Sequence, residues 1–338
     1  MSYGTVNADV IGTSVAGSNI GAGNASIMKN RIINGAMTVS QYNGTSSVTP
    51  TATGYVIDRF TYFCGGVASK FALQQLSASP PVGFGNYLGA TSQSAYSVSA
   101  TDRFGIYQAI EGFNTYDFQW GTANAKTVTL SAWVYSSLTG TFGGAIQNYA
   151  QNRSYPFTYT ISSANTWTQI SITIAGDTSG TWVGATNAGS MIISFGLGVG
   201  ATYSGTAGSW SGNLYYSATG ATSVVGTSGA TFYITGVQLE VGSSATGYEY
   251  RQYGQELALC QRYYEVMNGV VFQSAVGGSN REGSWRFCND KRATPTIALN
   301  NSVNSPTVDS SFTTTSIVSI YNSTGTYFSA NITASAEL

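Results

Sequence analysis

The chain contains no histidine. That absence removes the Ser-His and Cys-His nucleophile pairs, the commonest proton shuttle and every metal site built on imidazole. Charge is almost as scarce. Asp, Glu, Lys and Arg make up 8% of the 338 residues, against about 25% in an ordinary soluble domain. Thirteen Lys+Arg stand against 14 Asp+Glu, for a net charge of −1. No stripe able to follow a phosphate backbone can be assembled from them, so nucleic acid is not an expected partner. Three cysteines, Cys64, Cys260 and Cys288, are an odd number and widely spaced. They form neither a disulfide framework nor a zinc site, and synthesis in a cytosol fits them best. No apolar run reaches the roughly 18 residues that a membrane span needs. The opening MSYGTVNADVIG lacks a basic segment followed by an apolar one, so no signal peptide is expected. The sequence GxxxxGK[ST] does not occur, and GLGVGATYSG (196–205) is glycine-rich but leads into no helix. No cofactor and no metal are expected.

What the chain has instead is 41 glycines and 23 tyrosines, with much Ser, Thr and Asn. Such a composition suits many short strands joined by tight turns. The stretch TFYITGVQLEVG (231–242) alternates as a strand does but changes phase: Phe232 and Ile234 precede Gly236, and Val237, Leu239 and Val241 follow it. A one-residue slip would turn the buried set to solvent. One extra residue at Gly236, a β-bulge, repairs the phase; two short strands meeting at a corner are the alternative. In TVTLSAWVYSS (127–137), Val128, Leu130, Ala132 and Val134 share a face, with Trp133 and Tyr135 opposite. TWTQISITIAG (166–176) buries Ile170, Ile172 and Ile174. IISFGLGVG (192–200) puts Ile193, Phe195, Leu197 and Val199 on one face and Gly196 and Gly198 on the other. A glycine-lined face admits a ligand or another stretch of backbone; sheet twist or close chain packing explains it equally. Such patterns imply two packed sheets.

GQELALCQRYYEVMNG (254–269) reads as a helix, with Leu257, Cys260, Tyr264 and Met267 at i, i+3, i+7 and i+10 and a stop at Asn268-Gly269. Strands return after it, among them ATPTIALN, TSIVSIYN and TYFSANITASAEL, the last with Phe328, Ala330 and Ile332 on one face. Residues 1–28 are small, polar and glycine-rich, and bury too little apolar surface to order alone. Val6, Val10, Ile11, Val15 and Ile20 are the anchors by which a partner surface would order them. Carboxylate catalysis needs only two acids; Asp58, Asp102, Glu111 and Asp117 are the candidates, and turn or edge positions explain them as well.

Three stretches together resemble phage virion fibre proteins: NRIINGAMTVSQ (30–41), ITGVQLEVGSSATGYEYRQYGQELALCQRYYEV (234–266), and KRATPTIAL (291–299) with the ending SANITASAEL (329–338). The family's YVIDRF position (55–60) is often followed by tryptophan; here TYFC follows. The resemblance implies an all-β protein with a jelly-roll β-sandwich like those of carbohydrate-binding modules, a homotrimer, and a place in the virion. On that reading residues 1–29 join other virion proteins, 30–253 form the sandwich, 254–269 the connecting helix, and 270–338 a distal C-terminal β domain that meets a host surface glycan or receptor. A polysaccharide depolymerase on the same particle and a non-viral sugar-binding protein are the competing functions. Aromatic residues in turn-rich stretches are the expected sugar contacts, because ring faces stack on sugars and loops lie on the surface. They are Trp182, Tyr203, Trp210, Tyr215 and Tyr216, and in the C-terminal part Trp285 between Arg281 and Arg286, a pairing suited to acidic glycans.

Overall fold

A computed structural model describes residues 29–273, 281–322 and 327–338. The first part of the chain forms thirteen strands: β1 (Gly54–Ile57), β2 (Phe60–Gly65), β3 (Phe71–Leu76), β4 (Tyr87–Ser92), β5 (Arg103–Glu111), β6 (Val128–Ser136), β7 (Gly140–Asn148), β8 (Ser154–Ile161), β9 (Thr168–Ile174), β10 (Gly189–Val199), β11 (Ser204–Gly205), β12 (Ser217–Ala218) and β13 (Thr231–Val241). Two antiparallel sheets hold eleven of them, in the orders β1-β2-β5-β10-β7-β8 and β3-β4-β13-β6-β9. The chain crosses repeatedly between the sheets, as a jelly-roll sandwich requires. Their inner faces meet in one core. Phe104, Ile106, Phe142, Ile146, Ile193 and Phe195 come from the first sheet, and Phe71, Leu88, Leu130, Val134, Phe232 and Ile234 from the second.

The phase change in β13 is a bulge. Against β6, Thr235 pairs with Trp133 but Gln238 pairs with Ser131, so β13 carries one extra residue there. Gly236 takes a left-handed φ of 61°, which glycine adopts without steric cost. Phe232, Ile234, Val237 and Leu239 all stay buried as a result. The bulge also releases Val237 from the ladder. Its N–H donates to Gly35 O (3.0 Å) and its carbonyl accepts from Asn30 Nδ2 (3.1 Å). A Cβ on Gly35 would lie 2.2 Å from that carbonyl, so only glycine fits. Asn30 N donates to Glu249 (2.7 Å), Asn34 N to Glu256, and Arg251 to the carbonyls of Ile32 and Asn30. The first two stretches of the resemblance therefore fasten to each other around the bulge.

The helix is shorter than its spacing predicts. Helix α1 covers Tyr253–Gln261, and Tyr264–Gln273 is strand β14. Tyr264 and Met267, placed on the helix from their spacing, belong to the strand. The periodicity spans too few turns to exclude strand pairing, and Tyr264, Val266, Val270 and Val271 are β-favouring residues with a partner strand available. Asn268-Gly269 is not a helix stop but a second bulge, because the register of β14 slips between Met267 and Val270 and Gly269 has φ 65°.

After β14 follow β15 (Arg281–Arg286), β16 (Thr296–Val303), β17 (Thr307–Val308), β18 (Ile317–Asn322) and β19 (Tyr327–Ser335). They make two three-stranded sheets, β14-β19-β16 and β15-β18-β17. Val270, Phe287, Val318, Ile320, Phe328 and Ile332 fill the space between them. Buried charge joins this part to the sandwich. Arg59 pairs with Glu337 and lies 3.6 Å over the Tyr263 ring, and Arg262 forks onto Glu111. Among the described residues no helix is long and apolar enough to cross a membrane. Val6, Val10, Ile11, Val15 and Ile20 lie outside the described residues.

Candidate functional site

A cleft opens at one end of the sandwich between the β5–β6 connection and the loop before β10. Its lining includes Tyr116, Phe118, Gln119, Trp120, Asn124, Trp182 and Ser190, and its volume is about 330 Å³, at the low end for ligand pockets. Local hydrogen bonds set both walls. Residues 112–118 form two short 3-10 turns. The first is tied across to the other wall by Gly112 N to Ala188 O (2.9 Å) and Phe113 N to Thr186 O (2.8 Å). A Cβ on Gly112 would lie 2.0 Å from Gly184 O, so glycine is what lets the walls approach. Gln119 then adopts the left-handed conformation, φ 54° and ψ 29°.

Trp120 and Trp182 line the floor, and Trp210 packs against both. Trp120, Trp182 and Trp210 pack edge to face, with centroids 4.7, 5.2 and 5.6 Å apart and interplanar angles of 78–84°. Each indole N–H has an internal acceptor. Trp120 donates to Lys126 O (2.7 Å), Trp210 to Ala175 O (2.8 Å), and Trp182 to Asp177 Oδ2 (3.2 Å). Asp177 is the keystone of this arrangement. Its buried carboxylate receives a two-pronged bond from Arg153 (2.8 and 2.6 Å), and its carbonyl accepts from Gly121 N (2.7 Å). Arg153, so engaged, has its pKa raised by the Asp177 carboxylate. The cluster is rigid because aromatic contacts and satisfied polar groups agree. Above it, Tyr116 stands 56% exposed at the rim, whereas Trp120 is only 6% exposed.

The eight residues expected from sequence to touch sugar fall in three separate places. Trp182 and Trp210 meet each other and Trp120, and Trp182 lines the cleft. Tyr203 and Tyr216 meet elsewhere, 5.7 Å apart, with the Arg103 guanidinium over both rings. Tyr216 is buried there, and Tyr215 covers Gly205. Their segment is pinned onto the outer face of the first sheet by Ser194 Oγ to Tyr216 O (3.0 Å) and Gln147 Nε2 to Tyr215 O (2.6 Å). The glycine-lined face of β10 accommodates this segment and the one after it: a Cβ on Gly196 would lie 3.0 Å from Ser217 Oγ, and one on Gly198 2.5 Å from Val225 Cγ2. Trp285 lies on β15 half-buried, packed against the C-terminal core with its ring 5.9 Å from Phe328. Arg286, next in the strand, is exposed on the opposite face. The side chain of Arg281 lies outside the described residues.

The four candidate acids each have internal partners. Asp58 accepts from Gln41 N and Nε2 (2.5 and 2.6 Å), Asp102 from Tyr96 OH (2.7 Å), Glu111 from Arg262, and Asp117 from Arg31 (2.8 Å). Burial pushes the Asp58 carboxyl above the usual range despite its two donors. The residues that sequence reasoning missed are Tyr116, Gln119, Trp120 and Asn124. All lie in one turn-rich stretch, NTYDFQWGTANAK (114–126), where aromatics and amides alternate with turn formers; that composition is the signal that could have found them.

No family model matches this chain, and no curated protein matches it. Solved structures do. The enzymatically active domain of tailspike protein 4 from bacteriophage CBA120 is 11% identical with a TM-score of 0.32, over 63% of this chain and 22% of that one. A putative sugar-binding protein from Bacteroides thetaiotaomicron is 10% identical with a TM-score of 0.38, over 63% of this chain and all of that one (100%). A family 11 carbohydrate-binding module of a Clostridium thermocellum cellulosomal cellulase is 13% identical with a TM-score of 0.28, over 60% and 97%. The chain thus spans about a fifth of the tailspike (22%). At these values the likenesses carry no argument about function.

Proposed function

We propose that this protein is a non-catalytic fibre subunit of a phage particle, joined to the virion through residues 1–29 and binding a host surface glycan as a homotrimer. The glycan part rests on one observation: a cleft with a tryptophan floor, an exposed tyrosine at its rim and amide side chains within it. Aromatic surface with a few placed polar groups is what a sugar ring requires, since its faces are apolar and its perimeter is hydroxylated. The cleft is a better site than Trp285, whose ring is committed to the C-terminal core. The virion part rests on the resemblance of residues 30–41 and 234–266, which the fold places in mutual contact around the β13 bulge. The trimer rests on a low-charge surface and on the thin C-terminal core, where Ile297 and Leu299 remain half-buried.

Binding of the purified protein to host cells is the test. Wild-type protein is expected to sediment as a trimer and to bind, and Tyr116→Ala to fold and sediment identically while binding at least tenfold more weakly, as loss of one aromatic sugar contact entails. Deleting residues 1–28 should leave trimer and cell binding intact and abolish incorporation into particles. A clean monomer at micromolar concentration, or equal cell binding by Tyr116→Ala, counts against the proposal.

A further inference from the structure

Resting on that reading, we propose that Gln119 and Asn124 select a neutral glycan, reading adjacent hydroxyls of an uncharged sugar ring at the tryptophan cleft. Both side chains line the cleft and are exposed, and among the described residues neither amide has a hydrogen-bond partner in the protein. Of the other polar side chains of the walls, the Tyr116 hydroxyl at the rim is likewise unbonded and the rest are spent. Thr115 Oγ1 donates to Ser190 Oγ (2.9 Å), Ser190 Oγ to Val183 O (3.3 Å), and Thr122 Oγ1 to Gln119 O (2.7 Å). Two free amides and one rim hydroxyl are therefore what the site offers a ligand. Each presents one acceptor and two donors, which matches a pair of vicinal hydroxyls.

The backbone at Gln119 is a second, independent observation. Its φ of 54° lies where side-chain-bearing residues are uncommon. Glycine would fit there without strain, yet the position carries a glutamine. Here, as at ten other described non-glycine residues, the left-handed backbone is accepted, and at Gln119 it puts the amide into the cleft lining.

Charge decides the ligand class. The lining residues carry none. The nearest arginines are already matched, Arg153 to Asp177 and Arg31 to Asp117. A uronate or sulfate entering the cleft would lose water without meeting a cation among the lining residues; Lys126, two residues beyond Asn124, is not one of them. An uncharged hexose would lose only weakly held water and regain its hydrogen bonds from the two amides. Aromatic faces of Trp182 and Tyr116 would take its apolar side.

Affinity electrophoresis and calorimetry of the intact protein test this, with a glucan, a mannan and a galactan as neutral probes and polygalacturonate as the acidic one. The variants are Gln119→Gly, which removes the amide while relaxing the backbone, and Asn124→Ala. Wild-type protein is expected to bind at least one neutral polymer and not polygalacturonate. Each variant should melt at the same or a higher temperature and bind about tenfold more weakly, the loss of one or two hydrogen bonds. Preference for polygalacturonate, or neutral binding unchanged in both variants, overturns this selection and leaves the glycan-binding proposal standing. No retention by any polymer or by host cells overturns both.

Discussion

Tyr159 shows what a single residue can reveal about this sandwich. It sits in the core, and its hydroxyl is buried without a hydrogen-bond partner. Burial drives its pKa well above the phenol range. A folded-state pKa above the unfolded one gives a contribution that is complete below about pH 10 and is lost as pH rises beyond it. Tyr263 adds to the same slope, pushed up by burial to about 12. Tyr159→Phe is expected to stabilise the protein by about 1–3 kcal/mol at pH 7, because an unpaired buried polar group is removed. The variant should also lose less stability between pH 9 and 11. Urea midpoints across that range measure both. A lower midpoint at pH 7 would mean that the hydroxyl has a partner, such as a trapped water.

Glycine bulges set the shape of two strands, and the two differ in how they can be read. In β13 the apolar residues switch parity around Gly236, so the alternation alone announces the extra residue. In β14, Tyr264 and Met267 continue the helical spacing of Leu257 and Cys260, and Asn268-Gly269 mimics a helix end. Only pairing with β19 distinguishes them. Substitution separates the two sites again. A Cβ on Gly236 would lie 2.6 Å from the Phe84 ring, whereas one on Gly269 meets nothing within 4 Å. Both positions have left-handed φ, so alanine strains either by about 1–3 kcal/mol. Gly236→Ala should cost clearly more than Gly269→Ala, because it adds a clash beside the contacts of Gly35 and Asn30. Chemical denaturation of the two variants decides it, and equal losses would show that Phe84 gives way freely.

Buried ion pairs join the two parts of the molecule, Arg59 to Glu337 and Arg262 to Glu111, beside an apolar cluster of Ile33, Val39, Cys260 and Tyr263, and a further pair braces the C-terminal part from within. Lys291 and Glu265 are both fully buried and paired, and Glu265 also accepts Cys288 N (3.0 Å). Desolvation lowers the Lys291 pKa even though Glu265 opposes the shift. A depressed lysine contributes most when it is neutral, so this contribution falls as pH drops through the window below about 10.4. Lys291→Met would leave the buried Glu265 carboxyl without its cation, and a loss of about 3–5 kcal/mol is expected. Pairing it with Glu265→Gln should recover part of that loss. Thermal melts of the single and double variants test this. A double variant no better than the single one would mean that the carboxylate serves mainly the Cys288 N–H.

Much of the architecture was legible in the chain itself. Period-two alternation in residues 127–137, 166–176 and 192–200 marks strands with one apolar inner face, and scarcity of charge with abundant glycine marks a sheet protein. Both are local properties, visible wherever one face must be apolar. The end of helix α1 was not legible, since a ten-residue apolar pattern fits helix and strand alike until a partner strand is present. Nor was the cleft. Trp182 and Trp210 were visible as turn aromatics, but Trp120, Gln119 and Asn124 join them across some 60 to 90 residues of chain, a juxtaposition that only the strand order creates. Aromatic content is written in the sequence. Whether a ring stacks on a sugar, plugs a core as Trp285 does, or seals a sheet face as Tyr216 does depends on what packs against it, and only the tertiary structure decides that.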